Sequence, residues 1–228
     1  SAIEYKAKHL DPIFIEQSPS LALGQAKEEV VRMGEFSIVG LEETKAFLTN
    51  GTPKHSEMAY QLEDAINNLD RKITDYLVKL SSAPLTDNES EEHSMLMDSV
   101  RDIERIGDHF ENILELVDFQ ISNKVKLTDK ADQDLDEMFT LTITTVREAI
   151  EALKTGDKEL ARDVKLKEDQ IDRMERTLRK KHIMRLNEGL CSGQAGIVFV
   201  DIISNLERVG DHAVNIAEAV LGESHGTL

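Results

Sequence analysis

One phrase occurs twice in the chain, as Glu104-Arg105-Ile106-Gly107-Asp108-His109 and as Glu207-Arg208-Val209-Gly210-Asp211-His212. Five of its six positions are identical, and the sixth exchanges Ile for Val. An Asn follows each His three residues later (Asn112, Asn215), and the correspondence spreads outward: Asp98 and Asp102 match Asp201 and Asn205, and Glu115 matches Glu218. Farther back, Gly51 matches Gly156 and Glu63-Asp64 matches Glu168-Asp169, both 105 residues apart, against 103 for the phrase itself. A repeat of this length restricts the fold to two copies of one unit.

The period within each copy is helical. Ser18-Pro19 supplies a side-chain cap and a Pro at the first helical position, and Ala22, Ala26, Val30, Met33, Ser37 and Leu41 form a stripe that stops at Asn50-Gly51. A second helix is predicted over 54–82, with Leu62, Ile66, Leu69, Ile73, Leu77 and Leu80 inward and Pro84 beyond its end. Residues 83–90 read as turn, and Glu89, Glu91 and Glu92 suit the start of a third helix, where the macrodipole favours anions, running to about Ile121. Thr128 caps a fourth helix that ends at Thr155-Gly156, Asp157 caps a fifth that reaches Glu188-Gly189, and a sixth covers Gln194–Leu221.

The expectation is an all-α fold of six long helices in two tandem three-helix bundles, with short loops forcing neighbours antiparallel. Its divisions are a lead-in over 1–17 joining a missing amino-terminal part, one repeat over 18–122, a second over 123–222, and a disordered tail over 223–228. Leu10-Asp11-Pro12-Ile13-Phe14-Ile15 in the lead-in reads as extended, because the residue before Pro is pushed away from helical geometry.

With 4% aromatic residues and no Trp, the core must be built from Leu, Ile, Val, Ala and Met. A net charge of −17 argues against nucleic acid or anionic lipid as a partner, since both require clustered Lys and Arg. The single Cys191 excludes an internal disulfide and fits a reducing compartment. No signal peptide is visible and no apolar run approaches the ~18 residues of a membrane span. The abrupt start at Ser1 fits a soluble piece of a larger protein.

At 100° per residue Glu104 and Asp108 share a face, as do Glu207 and Asp211. Asp98 and Asp102 form a neighbouring strip with His109 and Asn112, away from the apolar stripe of Ile103, Ile106, Phe110, Ile113 and Val117, so these strips are expected outside the core. On the preceding helices Glu63 and Asn67, and Glu168 and Asp172, repeat the i, i+4 spacing. Like charges so spaced cost a few tenths of a kcal/mol each in an isolated helix. A solvated face is the commoner use of such a pattern, and Arg105 and Arg208 stand where they can pair with Asp108 and Asp211. Recurrence in register in both halves favours a counter-ion instead. Oxygen-only clusters suit Mg²⁺, Ca²⁺, Mn²⁺ or ferric iron, and His109 and His212 would admit Zn²⁺, although packing or hydrogen bonding is the commoner role of such His. Gly107 and Gly210, each ~1 kcal/mol worse than Ala inside a helix, require that a neighbouring helix or a ligand comes close.

These residues resemble the PhoU family. The resemblance implies two three-helix repeats whose Glu/Asp-x-x-x-Asp motifs hold multinuclear iron or zinc clusters, carried here by Glu104/Asp108, Asp98/Asp102, Glu207/Asp211 and Glu168/Asp172. Glu63, Asp201 and Asn205 complete the candidate metal set, with His109 and His212 as additions; Asn67 and Asn205 depart from the family pattern, which has Asp at both. Leu10-Asp11-Pro12, Ser18-Pro19-Ser20-Leu21-Ala22-Leu23 and Glu188-Gly189-Leu190-Cys191-Ser192 look like the carboxy-terminal PhoU-like region of bacterial Na⁺/phosphate cotransporters. That narrower likeness implies a non-catalytic regulatory domain on the cytoplasmic face of the membrane, partnered by the transmembrane part of its own polypeptide and open to homo-oligomerisation. Two other readings compete with it: a free-standing PhoU-type regulator of phosphate ABC transport, and a carboxylate-bridged metalloenzyme. No Gly-rich phosphate loop, nucleophile elbow or His-Glu-x-x-His motif supports the last.

Overall fold

The computed structural model describes residues 7–223. A five-residue turn of helix, α1 (Ile13–Gln17), precedes six long helices: α2 (Pro19–Asn50), α3 (Pro53–Leu80), α4 (Asp87–Ser122), α5 (Asp129–Thr155), α6 (Lys158–Asn187) and α7 (Gly193–Val220).

Capping explains most of these boundaries. The side chains of Ser18, Thr128, Asp157 and Ser192 accept from the backbone N–H of Leu21, Ala131, Leu160 and Ala195, each three residues on. Gly51 and Gly156, the matched stops of the two repeats, both adopt the left-handed conformation, φ 65° and 75°, that closes a helix and suits Gly.

Two stretches differ from the sequence expectation. Ile13–Gln17 is helical because Pro12 starts a helix well, and the Asp11 carboxylate accepts from Ile13 N at 3.1 Å. Helix α4 starts within the stretch read as turn, because Thr86 and Glu89 form a reciprocal capping box. The first six residues of the expected lead-in and residues 224–228 of the expected tail lie outside the described residues.

Helices α2, α3 and α4 pack together, as do α5, α6 and α7, and the two bundles join through α4 against α7 and α2 against α5. One apolar core runs through both, with Phe47, Phe110, Phe139 and Phe199 its largest fully buried side chains. Helix α2 approaches its neighbours at two glycines. A Cβ on Gly40 would lie 2.5 Å from the Phe110 ring, and one on Gly34 would lie 2.5 Å from Ile150 of α5. Gly107 and Gly210 face Ile66 of α3 and Ile171 of α6. A neighbouring helix, not a ligand, accounts for both.

Candidate metal centre and the joint between repeats

The second repeat gathers carboxylates. Glu168 and Asp172 stand one turn apart on α6, and Glu207 and Asp211 one turn apart on the antiparallel face of α7. One oxygen from each of Glu168, Asp169 and Asp172 lies within 4.8 Å of the others, and the same holds for Asp172, Glu207 and Asp211. Asp172 belongs to both sets, and its Oδ1 is buried with no hydrogen-bond partner. Burial, followed by the neighbouring Asp172 and Asp211, pushes the Glu168 carboxyl up to about 9. Burial and Asp211 push Glu207 up to about 8. Two of the neighbouring cations are engaged elsewhere. Lys167 is held by Glu148 and Asp163, while Arg179 bonds Glu175 and Ser204.

In the first repeat the matching residues separate. Glu63, 5% exposed, accepts from Asn67 and is pushed up to about 8 by burial and by Glu111 of α4. Glu104 is raised to about 7 by burial and Asp108, with Asp70 adding to the effect, and Asp108 pairs with Arg105 at 3.5 Å. Asp70 and Glu104 line a cleft between α3 and α4 that also holds Arg71 and Arg101. Asn67 stands where the second repeat has Asp172, so the residue that links the two triads there has no carboxylate counterpart here.

Asp102, Asn205, His109 and His212 lie somewhere else again, at the crossing of α4 and α7. His212 Nδ1 donates to Asp102 Oδ1 at 3.0 Å, and Asn215 Nδ2 donates to the same oxygen at 3.1 Å. The mirror arrangement puts His109 Nδ1 and Asn112 Nδ2 each 3.1 Å from Asn205 Oδ1, while Asn205 Nδ2 donates to the Asp201 carbonyl. The two imidazoles stack with centroids 5.4 Å apart.

The expectation that the acidic strips stay outside the core therefore needs correcting at Asp102, which is buried, as is Glu63 on α3. A helical wheel places a side chain on its own helix but does not say which helix packs there. Asp98 and Asp201 are exposed and join neither triad. Asp169, Glu111 and Asp70 were missed as candidates. Asp169 was visible as half of the repeated Glu-Asp pair, and Asp70 could have been found from the acidic Glu175 at its matched position. Glu111 had no such signal, since Val214 is its counterpart.

The PhoU domain matches the chain twice, over residues 30–117 and 135–220. The chain belongs to the PhoU family. The phosphate-specific transport system accessory protein PhoU homolog 1 of Thermotoga maritima is 38% identical over 120 residues, 53% of this chain and 51% of that protein, so the match spans about half of the relative. A PhoU homolog of Xylella fastidiosa is 25% identical over 199 residues, 87% of this chain and 82% of its own length. Two crystal structures share the fold. PhoU of Streptococcus pneumoniae has a TM-score of 0.80 at 22% identity, covering 90% of this chain and 95% of that one. PhoU of Pseudomonas aeruginosa has a TM-score of 0.83 at 21% identity, covering 87% and 95%. Among the described residues no helix is long and apolar enough to cross a membrane.

Proposed function

We propose that this chain is a PhoU-type regulatory accessory protein of phosphate transport, acting as a polypeptide separate from the transporter, with a cation bound in its second repeat. The two PhoU matches carry the regulatory reading. The relatives named above are accessory proteins of the phosphate-specific transport system, which favours a separate regulator over the appended cotransporter domain expected from the shorter segments. The same names favour regulation over catalysis.

The observation that carries the cation is the orphaned oxygen of Asp172, shared by two carboxylate triads. Without an ion the only groups among the described residues placed to donate to it are protonated Glu168 and Glu207, whose pKa values of about 9 and 8 mark acids held together at a cost. Glu168, Asp172, Glu207 and Asp211 would hold the ion, with Asp169 at the exposed edge. When bound, the ion supplies positive charge that ties α6 to α7. With His109 and His212 engaged at the joint, the donors are oxygens alone, which suits iron, Mn²⁺, Mg²⁺ or Ca²⁺ better than Zn²⁺.

Purification of the tagged endogenous protein from its own host tests the regulatory reading. A polypeptide that co-purifies with subunits of a phosphate transporter as separate chains is expected, together with deregulated phosphate uptake on deletion. A much larger membrane-embedded polypeptide would restore the appended-domain reading, and unchanged uptake would sink regulation altogether.

A further inference from the structure

The chain's strong negative charge hides a local reversal. Residues 173–185 of α6 contain six Lys or Arg and one Glu, a net +5 in a chain whose total is −17. Arg179 is tied to Glu175 and Ser204, and Arg185 sits over the Phe199 ring. Arg176, Lys180 and Lys181 are exposed and, among the described residues, lie within ion-pair distance of no acid.

The basic stretch runs into an apolar tip. Lys180, Ile183, Met184 and Asn187 follow i, i+3, i+4, i+7 spacing along one exposed face. Beyond His182 nothing on α6 is buried, and Ile183, Met184, Leu186, Leu190 and Ile197 are between 38% and 63% exposed. The group is contiguous across the α6–α7 turn, since a Cβ on Gly196, next to Ile197, would lie 3.4 Å from Leu186. The remaining exposed large apolar side chains are dispersed: Ile13 on α1, Leu21 and Val39 on α2, Val78 on α3, Phe119 and Ile121 on α4, and Leu166 near the start of α6.

We propose that this corner, the end of α6 with the start of α7, docks on an anionic lipid bilayer. Basic side chains above an apolar tip match the two layers of an interface, with headgroup phosphates around Arg176, Lys180 and Lys181 and the acyl boundary around the Ile, Met and Leu side chains. A second copy of this chain could meet the tip only with its own identical tip, which would set two basic stretches of like charge side by side. The acidic cluster does not cancel the attraction. Asp172 precedes Lys180 by eight residues, about 12 Å along the helix and more than one Debye length at physiological ionic strength, so that of the three cations only Arg176 lies nearer to it. The global charge argument from the sequence does not reach this corner, because its cations are clustered. The proposal is independent of the metal centre and of the regulatory reading.

Co-sedimentation of the full chain with vesicles tests it. The chain is expected to bind phosphatidylcholine vesicles containing phosphatidylglycerol and to leave pure phosphatidylcholine vesicles in the supernatant. Lys180→Gln with Lys181→Gln should weaken partition about 25-fold, at ~1 kcal/mol per charge removed. Leu190→Ser with Ile197→Ser should also release the protein without changing its circular dichroism, whereas Leu166→Ser should bind like the wild type. No binding to anionic vesicles, equal binding to both kinds, or undiminished binding by the two double variants overturns the proposal. So does a dimer, seen by ultracentrifugation without vesicle binding, that the same substitutions dissociate.

Discussion

His109 and His212, the last residues of the two copies of the repeated phrase, stack on each other across the α4–α7 crossing with ring centroids 5.4 Å apart. Each reaches past the other to the opposite repeat, His212 to Asp102 and His109 to Asn205. The phrase is thus a contact between repeats at its His and a carboxylate ledge at its Glu and Asp. The joint is asymmetric in charge, because one buried acceptor is a carboxylate and the other an amide.

Truncating the charged acceptor should show its weight. Asp102→Ala strands two donors, His212 Nδ1 and Asn215 Nδ2, and is expected to cost about 1–3 kcal/mol in urea denaturation.

The same asymmetry sets an acid limit. Burial, with no carboxylate on its Nδ1, holds His109 below 6.5. A His with a lowered folded value contributes stability above its unfolded pKa, and that stability is lost as pH falls below 6.5 through the folded value. Asn205→Asp supplies the missing counter-charge. It should raise the His109 pKa, read by NMR titration, and flatten the loss of melting temperature on acidification.

The carboxylates titrate with the opposite sign. Glu168 at about 9 and Glu207 at about 8 bind protons more tightly in the folded chain than at their ordinary 4.5. Stability from them is complete below pH 4.5 and drains away as pH rises through 8 and 9. Between pH 7 and 9, where the His109 effect is spent, the chelated protein should lose melting temperature steadily. A bound cation should remove that slope.

Two glycines in helix interiors should respond in opposite directions. Gly107→Ala places a Cβ in ordinary contact, 3.5 Å from Ile66, and should stabilise by up to about 1 kcal/mol through helix propensity. Gly40→Ala drives a Cβ to 2.5 Å from the buried Phe110 ring and should destabilise by about 1–3 kcal/mol. Thermal melts of the two variants decide both.

Much of the architecture is legible in the sequence because its signals are local. Ser18-Pro19, Thr128, Asp157, Gly51 and Gly156 mark helix ends by hydrogen bonds and φ preferences within a few residues. The site is legible only in part because it depends on which helix packs where. The i, i+4 spacing brought out Glu168, Asp172, Glu207 and Asp211, which the structure assembles. It grouped Asp98 with Asp102, yet one faces solvent and the other is buried against α7. Net charge is blind in the same way, since a total of −17 does not say where the Lys and Arg of α6 stand.

The central claim, a cation held through Asp172 in the second repeat, is tested most directly by elemental analysis. Protein purified without chelator is compared with its Asp172→Asn variant, alongside melting curves of both after adding iron, manganese, magnesium, calcium or zinc. The expected result is bound metal in the wild type with ~2–3 kcal/mol of stabilisation at a hundredfold excess over Kd. The variant should lose both while folding normally and melting higher than the wild type in chelator at pH 8, because one repelling charge is gone. Wild-type protein that carries no metal above background and melts at the same temperature with every ion would contradict the account and leave the acidic ledge a solvated face.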